Sequence, residues 1–271
     1  MLPSVPKPDR SVVTLSGVGV SYGSNRVFDD MNLRVDAGEC LGVRGRNGSG
    51  KTTLLRLLAN AFALQHGTRE GPPLVAYVPA ALTPPPITGR MWLHGLPRPG
   101  RGDPNAALST LAFRGLLDKP CASLSFGNLR KLLLAEAFSA GTDLVIVDEA
   151  TAGLDAPGIE GVKQLVAAAL RRGAAVVMAD QDKRAMPWVT RAVEVLDGGV
   201  VERGVVDGGV VDGGVVHGAV AENPEAASAG QGQHVQVTLV GPGANLSLLM
   251  ETASELGFAA PLTPGAEEHP Q

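Results

Sequence analysis

Residues 45–53 read Gly-Arg-Asn-Gly-Ser-Gly-Lys-Thr-Thr, and this stretch constrains the fold more than any other. Glycine at Gly45, Gly48 and Gly50 permits backbone conformations that other residues resist, so consecutive N–H groups can turn inward around one anion. Lys51 adds a positive charge at the end of a long stem, and Thr52 adds a hydroxyl. This is the pattern of a phosphate loop, in which the lysine meets the β- and γ-phosphates and the hydroxyl takes a place on Mg²⁺. Such a loop joins a strand to a helix whose positive dipole end faces the anion. The flanks agree. Glu-Cys-Leu-Gly-Val-Arg (39–44) reads as a short buried strand, and Leu54, Leu55, Leu57 and Leu58 recur at helical spacing in a helix expected over 50–63. The residues expected to hold a nucleoside triphosphate are therefore Gly45, Asn47, Gly48, Ser49, Gly50, Lys51, Thr52 and Thr53.

A phosphate loop needs a carboxylate partner at a neighbouring strand end. Leu144–Val147 is an apolar run followed by Asp148-Glu149. The run predicts a fully buried strand whose C-terminal edge presents both carboxylates, the edge where ligands bind in open parallel sheets. Asp148 is placed to reach Mg²⁺ with Thr52, and Glu149 is the candidate base that polarises the attacking water.

The surrounding pattern alternates strands and helices, which predicts an α/β fold around a parallel sheet. Strands are expected at 11–22, 27–35 (with Met31, Leu33 and Val35 on one face and Asn32 and Arg34 on the other), 74–78 and 174–179. Helices are expected at 105–117, 124–139 and 158–171. Residues 192–196 and 200–202 read as a closing hairpin around Asp197-Gly198-Gly199. The Pro/Gly-rich span 79–104 is expected to be irregular and to expose Met91 and Trp92.

At this point the motifs, taken in order, resemble the ATP-binding subunit of an ABC transporter. Val20-Ser21-Tyr22-Gly23 resembles the loop whose aromatic ring stacks on adenine; Tyr22 read alone is a strand-end aromatic packed on its sheet, and its spacing ahead of the phosphate loop favours the adenine platform. Gly45–Thr53 is the phosphate loop. Leu124-Ser125-Phe126-Gly127-Asn128 resembles the signature loop, Val147–Thr151 the acidic strand, and Ala152-Gly153-Leu154-Asp155 the D-loop. The likeness covers roughly residues 11–204. It implies a P-loop NTPase of the ABC type, with an antiparallel β subdomain, a mostly parallel core sheet and a short helical subdomain.

The resemblance also implies that Ser125 and Gly127 face ATP held by an opposing subunit, so ATP is bound between two such chains. Ser125 read alone is a helix N-cap, and it can serve both roles. The implied ligands are ATP and Mg²⁺. The implied partners are membrane permease subunits and a second ABC ATPase, in a homo- or heterodimer. The implied location is the cytoplasmic face of the membrane. The stretch 87–96 faintly resembles exporters and tilts the expectation toward export, while the cargo is set by the permease. Two other functions remain open at this stage: a non-transport ABC ATPase, and an ATP-binding regulatory module with little hydrolysis.

This chain departs from the family's pattern in three places. Ala80 follows Pro79 where the family carries glutamine. Asp180-Gln181-Asp182 stands where the family carries a histidine, so Gln181 is left as the candidate donor to the γ-phosphate, without imidazolium charge. Phe126 and Asn128 replace a glycine and a glutamine of the signature loop. Together these predict intact nucleotide binding and slowed hydrolysis.

Composition bounds the rest. The chain has 271 residues, 44% of them hydrophobic, and a net charge of −4. One ordinary domain with an appendage fits that length. No basic field marks nucleic acid as a partner, and none is expected. The two cysteines, Cys40 and Cys121, have no metal-site spacing. Residues 1–10 carry three prolines and are expected to be a flexible N-terminus without a signal peptide. The ATP-binding domain is expected over 11–204. A tandem Gly-Val-Val repeat and linker follow at 205–233, a small β–α element at 234–260, and a disordered tail at 261–271.

Overall fold

The computed structural model describes residues 10–72, 74–94, 100–179, 188–196, 198–206 and 209–211. The expected C-terminal strand, helix and tail, the later repeat copies and Gln181 lie outside the described residues. The strands are β1 (Ser11–Tyr22), β2 (Asn25–Asp36), β3 (Cys40–Arg44), β4 (His66–Glu70), β5 (Val75–Val78), β6 (Leu144–Asp148), β7 (Ala175–Ala179), β8 (Arg191–Leu196), β9 (Gly199–Val206) and β10 (Gly209–Val211). The helices are α1 (Lys51–Leu58), α2 (Gly89–His94), α3 (Pro104–Thr110), α4 (Phe126–Ser139) and α5 (Ala156–Arg171). Three antiparallel strands form one sheet in the order β2-β1-β4. Seven form the other in the order β10-β9-β8-β3-β7-β6-β5, with parallel pairing from β8 to β5.

The continuous apolar runs are explained by burial on both faces of this larger sheet. Side chains alternate along each strand. Val145, Val147, Val176 and Met178 enter the core shared with α4 and α5. Leu144, Ile146, Ala175 and Val177 enter the core shared with α1 and the antiparallel sheet. On β2 the opposite logic holds. Met31, Leu33 and Val35 are buried while Asn32 and Arg34 are exposed, as expected for a sheet with one wet face.

The helix ends depart from expectation for one shared reason. α1 stops at Leu58, where a helix to 63 was expected. Asn60 turns left-handed (φ 55°), Asn60 N–H donates to Leu57 O, and Ala61 N–H donates to Arg56 O. α3 stops at Thr110, where a helix to 117 was expected. Ala112 has φ 51°, with Ala112 N–H donating to Ser109 O and Phe113 N–H to Leu108 O. Both are Schellman closures, and neither uses the glycine that normally announces one. The span expected to be irregular contains α2, pinned by Arg90 N–H to Leu117 O and by the Arg90–Asp118 ion pair. Met91 is exposed as expected. Trp92 is half-buried against the helix-side core, a correction to its expected exposure. β4 went unread because His-Gly-Thr-Arg-Glu is polar on both faces; it forms by edge pairing to β1.

The closing hairpin is present as β8 and β9, with Leu196 opposite Gly199. A further repeat copy pairs as β10, with Gly209 opposite Val206. No helix among the described residues is long and apolar enough to cross a membrane.

The helical subdomain is seated on α5 at Gly161, where a Cβ would lie 2.3 Å from Thr110 O and 2.8 Å from Leu111 Cα. Gly161→Ala is therefore expected to cost about 1–3 kcal/mol, read as a lowered urea midpoint with unchanged slope. An unshifted midpoint would show that α3 yields freely.

Candidate nucleotide-binding site

The loop between β3 and α1 closes through its glycines. A Cβ at Gly45 (φ 147°) would lie 2.5 Å from Ser49 Oγ and 2.8 Å from Val195 O. A Cβ at Gly50 (φ 106°) would lie 2.6 Å from Val27 Cγ1. Gly48 has open space around it but a φ of 81°, which other residues adopt only with strain. Lys51 Nζ donates to Gly45 O (2.8 Å) and Arg46 O (2.9 Å), bracing the loop from within. Leu54 N–H donates to Gly50 O (2.9 Å), so the helix starts at the loop and leaves its first amides facing outward.

Thr52 Oγ1 donates to Asp148 Oδ2 at 2.9 Å, joining α1 to the end of β6. Asp148 is buried, and burial raises its carboxyl above the ordinary range. The Thr52 hydroxyl opposes that shift, the neighbouring Glu149 reinforces it, and the Arg130 and Lys51 charges oppose it. Glu149 sits at φ 55°, a left-handed conformation rare for its residue type, with its N–H donating to Ala179 O at 2.7 Å. Strained backbone of this kind costs about 1–3 kcal/mol and clusters at functional positions. A hydroxyl and a carboxylate converging at the edge of a glycine cradle form an oxygen-only donor set, which fits a hard cation such as Mg²⁺.

A cleft of about 370 Å³ opens over these groups. It is lined by Tyr22, Asn25, Val27, Asn47, Gly48, Gly50, Lys51, Thr52, Thr53, Ala80, Asp148, Glu149 and Ala179. Gly45 and Ser49 lie behind the lining, at the tight turn. Ala80 contributes only a methyl group. Tyr22 stands at the rim, 46% exposed, with its hydroxyl 3.4 Å from Thr53 Oγ1 and its ring edge-on to Phe62 at 5.6 Å. Phe62, Asn25 and Val27 were not expected there. Each belongs to an element read for core or turn; Asn25 and Val27 reach the cleft from the antiparallel sheet, and Phe62 backs Tyr22 from the segment after α1.

Ser125 and Gly127 are elsewhere. A second cleft of about 190 Å³ is lined by Ser125, Gly127 and Asn128 together with Arg114, Lys131, Gly153 and Asp155. The two clefts share no residue. Ser125 is the N-cap of α4, its Oγ accepting from Asn128 N–H at 3.3 Å. Lys131 Nζ, buried, lies 2.7 Å from Asp155 Oδ1, and this contact holds the Asp155 carboxyl below the usual range. Phe126 rests against the D-loop: a Cβ on Gly153 would meet its ring at 2.5 Å. A Cβ on Gly127 would meet Gly153 O at the same distance. The bulk of Phe126 is thus accommodated by Gly153, and half of the ring remains exposed.

Comparisons with known proteins agree with this arrangement. The family model described as ABC transporter matches residues 28–75. The zinc import ATP-binding protein ZnuC of Jannaschia sp. (strain CCS1) is 33% identical over 201 residues, covering 70% of this chain and 81% of that protein. The chain belongs to the ATP-binding subunits of ABC transporters. The ZnuC protein of Yersinia enterocolitica is 34% identical over 178 residues, covering 64% of this chain and 71% of its own. Among solved structures, an ATP-binding subunit of an ABC transporter superposes with a TM-score of 0.65 at 21% identity, covering 72% of this chain and 90% of its own. A dimeric ATP-binding cassette bound to ADP and phosphate superposes with a TM-score of 0.61 at 18% identity, covering 70% of this chain and 96% of its own. At such identities these two structures establish the shared fold. As an ABC ATP-binding subunit, the chain binds ATP and couples its hydrolysis to transport. Such subunits work with membrane permeases and form dimers.

Proposed function

We propose that this ABC ATP-binding subunit powers import through a separate permease from the inner face of the membrane, and that two subunits share each ATP. The observation that carries the shared site is the separation of the two clefts. The phosphate loop, Asp148 and Glu149 form one, while Ser125 and Gly127 form another on the same chain, so each cleft is completed by a second subunit. In that arrangement Tyr22 stacks on adenine, Lys51 and the loop amides hold the phosphates, and Thr52 with Asp148 holds Mg²⁺. Mg²⁺ held by Thr52 and Asp148 would supply neutralisation of charge on the transferring phosphoryl group. Glu149 polarises the attacking water, and the start of α4 with Ser125 meets the γ-phosphate from the opposing chain.

The relatives' names favour import over the export that residues 87–96 suggested, and they make zinc the first cargo to test. Ala80 has no group for the attacking water, and Gln181 offers an amide where an imidazole is usual. Losing one positioned donor costs about 10²-fold or more in turnover, so we place this subunit among slow ATPases. Light scattering of the full chain tests the shared site. MgATP is expected to convert monomer to dimer when hydrolysis is blocked by Glu149→Gln, and not when Lys51→Ala is added. A monomer under both conditions would refute the shared site. Loss of zinc uptake on deletion of the coding sequence, restored by the intact chain, tests the cargo.

The permease is proposed to dock on α2 and the turn segment beside it that runs into Pro120. Thr88 bridges Pro120, and Met91 and Leu116 are 59% and 66% exposed. Met91→Asp is expected to reduce co-purification with the permease about tenfold or more, as for loss of a buried anchor, without lowering the melting temperature. Undiminished co-purification would move the docking surface elsewhere.

A further inference from the structure

Arg130, in α4, is a charged side chain buried completely, at 0% exposure. Its guanidinium spans two strand ends. Nη1 donates to Pro79 O (3.1 Å) and to Asp148 O (3.0 Å), and Nη2 donates to Ala80 O (3.1 Å). β5 and β6 pair up to Val78 opposite Val147, so these carbonyls lie just past the last ladder pair of each neighbour. On its other side, Arg130 Cζ lies 5.6 Å from the centroid of the half-exposed Phe126 ring.

A buried cation costs more than an apolar residue of the same volume unless its hydrogen bonds are needed. What a guanidinium alone supplies is a rigid fork of donors able to hold several carbonyls at fixed spacing. Here those carbonyls belong to Asp148 itself and to the Pro79-Ala80 segment. Ala80 has no side chain that can report on the nucleotide, so the main chain of this segment is tied to the site through Arg130.

We propose that Arg130 is a positioning residue for ATP hydrolysis: it clamps the ends of β5 and β6 so that Asp148 and Glu149 face the triphosphate, and it links that clamp to the signature loop through Phe126. The proposal rests on the roles given above to Asp148 and Glu149. It places one side chain in contact with the acidic strand, the segment leading to α2, and the loop expected to meet the opposing subunit. Movement of Phe126 on closure of that subunit then reaches Asp148 through one guanidinium.

The test uses the full chain with Arg130→Gln, Arg130→Lys, Phe126→Leu and, as a control, Glu149→Gln. ATP affinity is measured by equilibrium binding, turnover by phosphate release, and folding by thermal melting. Arg130→Gln is expected to keep ATP affinity and KM within about threefold while kcat falls about 10–100-fold, the split of a group acting on the transition state alone. Arg130→Lys is expected to recover part of that loss. Phe126→Leu, on an exposed ring, is expected to lower kcat about threefold or more with an unchanged melting temperature. Turnover within twofold in Arg130→Gln, or affinity lost in step with turnover, overturns the clamp. If Arg130→Gln does not fold, Phe126→Leu decides, and unaltered kcat there overturns the link to the signature loop. Unaltered turnover in Glu149→Gln would instead place the fault in the reading of Glu149, independently of Arg130.

Discussion

A full chain carrying Glu149→Gln is expected to hydrolyse ATP at least about a hundredfold more slowly while binding it with unchanged affinity, since a general base contributes about 10²–10⁴-fold. Glutamine keeps the size and hydrogen-bonding reach of the side chain and loses only its basicity. The backbone should tolerate the exchange. The left-handed conformation at 149 is held by its own N–H to Ala179 O, which no side chain supplies. Single-turnover measurements are the proper readout, because they separate chemistry from product release. Equal rates in the two chains would show that water is activated by another group. A fast unsubstituted chain, turning over like an ordinary family member, would refute slow hydrolysis while leaving the role of Glu149 standing.

Asp148→Asn is expected to make the chain more stable and nearly inactive. Burial raises the Asp148 carboxyl above its ordinary value, so the folded chain retains a proton at pH values where the unfolded chain has released it. The stability this group contributes is complete below the unfolded pKa and is lost as pH rises through the raised folded pKa. At neutral pH the desolvated carboxyl therefore burdens the nucleotide-free fold relative to acid pH. Asparagine removes that burden and can still accept from Thr52 Oγ1. A gain of about 2–5 °C in melting temperature at pH 7 is expected, shrinking as pH falls toward the ordinary carboxylate range, together with about a hundredfold or greater loss of MgATP turnover. A lower melting temperature at pH 7 would mean that the Thr52 contact outweighs desolvation.

Much of the site was legible because its chemistry is local. The glycines at 45, 48 and 50 stand where turns with positive φ are required, and Lys51 and Thr52 follow at the spacing one loop imposes. Asp148 and Glu149 were legible because four apolar residues in front of them can only be a strand buried on both faces. Ser125 was legible as a helix start because its hydroxyl serves the amide of a residue close behind it in sequence. The helix ends at Asn60 and Ala112 were not: Ala112 has no preference for left-handed backbone, and Asn60, which tolerates it, is followed by apolar residues that continue the helical pattern.

The sequence by itself therefore determined that this chain builds a phosphate loop, an acidic strand end and a capped helix, since each depends on neighbours a few residues apart. Only the tertiary structure decided what lies between them. Phe62 meets Tyr22 because the segment from α1 into β4 runs beside the end of β1. Phe126 fits because Gly153 yields it room. Arg130, sitting among leucines in a helix that reads as core, reaches Pro79, Ala80 and Asp148 because strands far apart in sequence end side by side. Contacts of that kind are set by the sum of packing over the whole domain, and no local spacing encodes them.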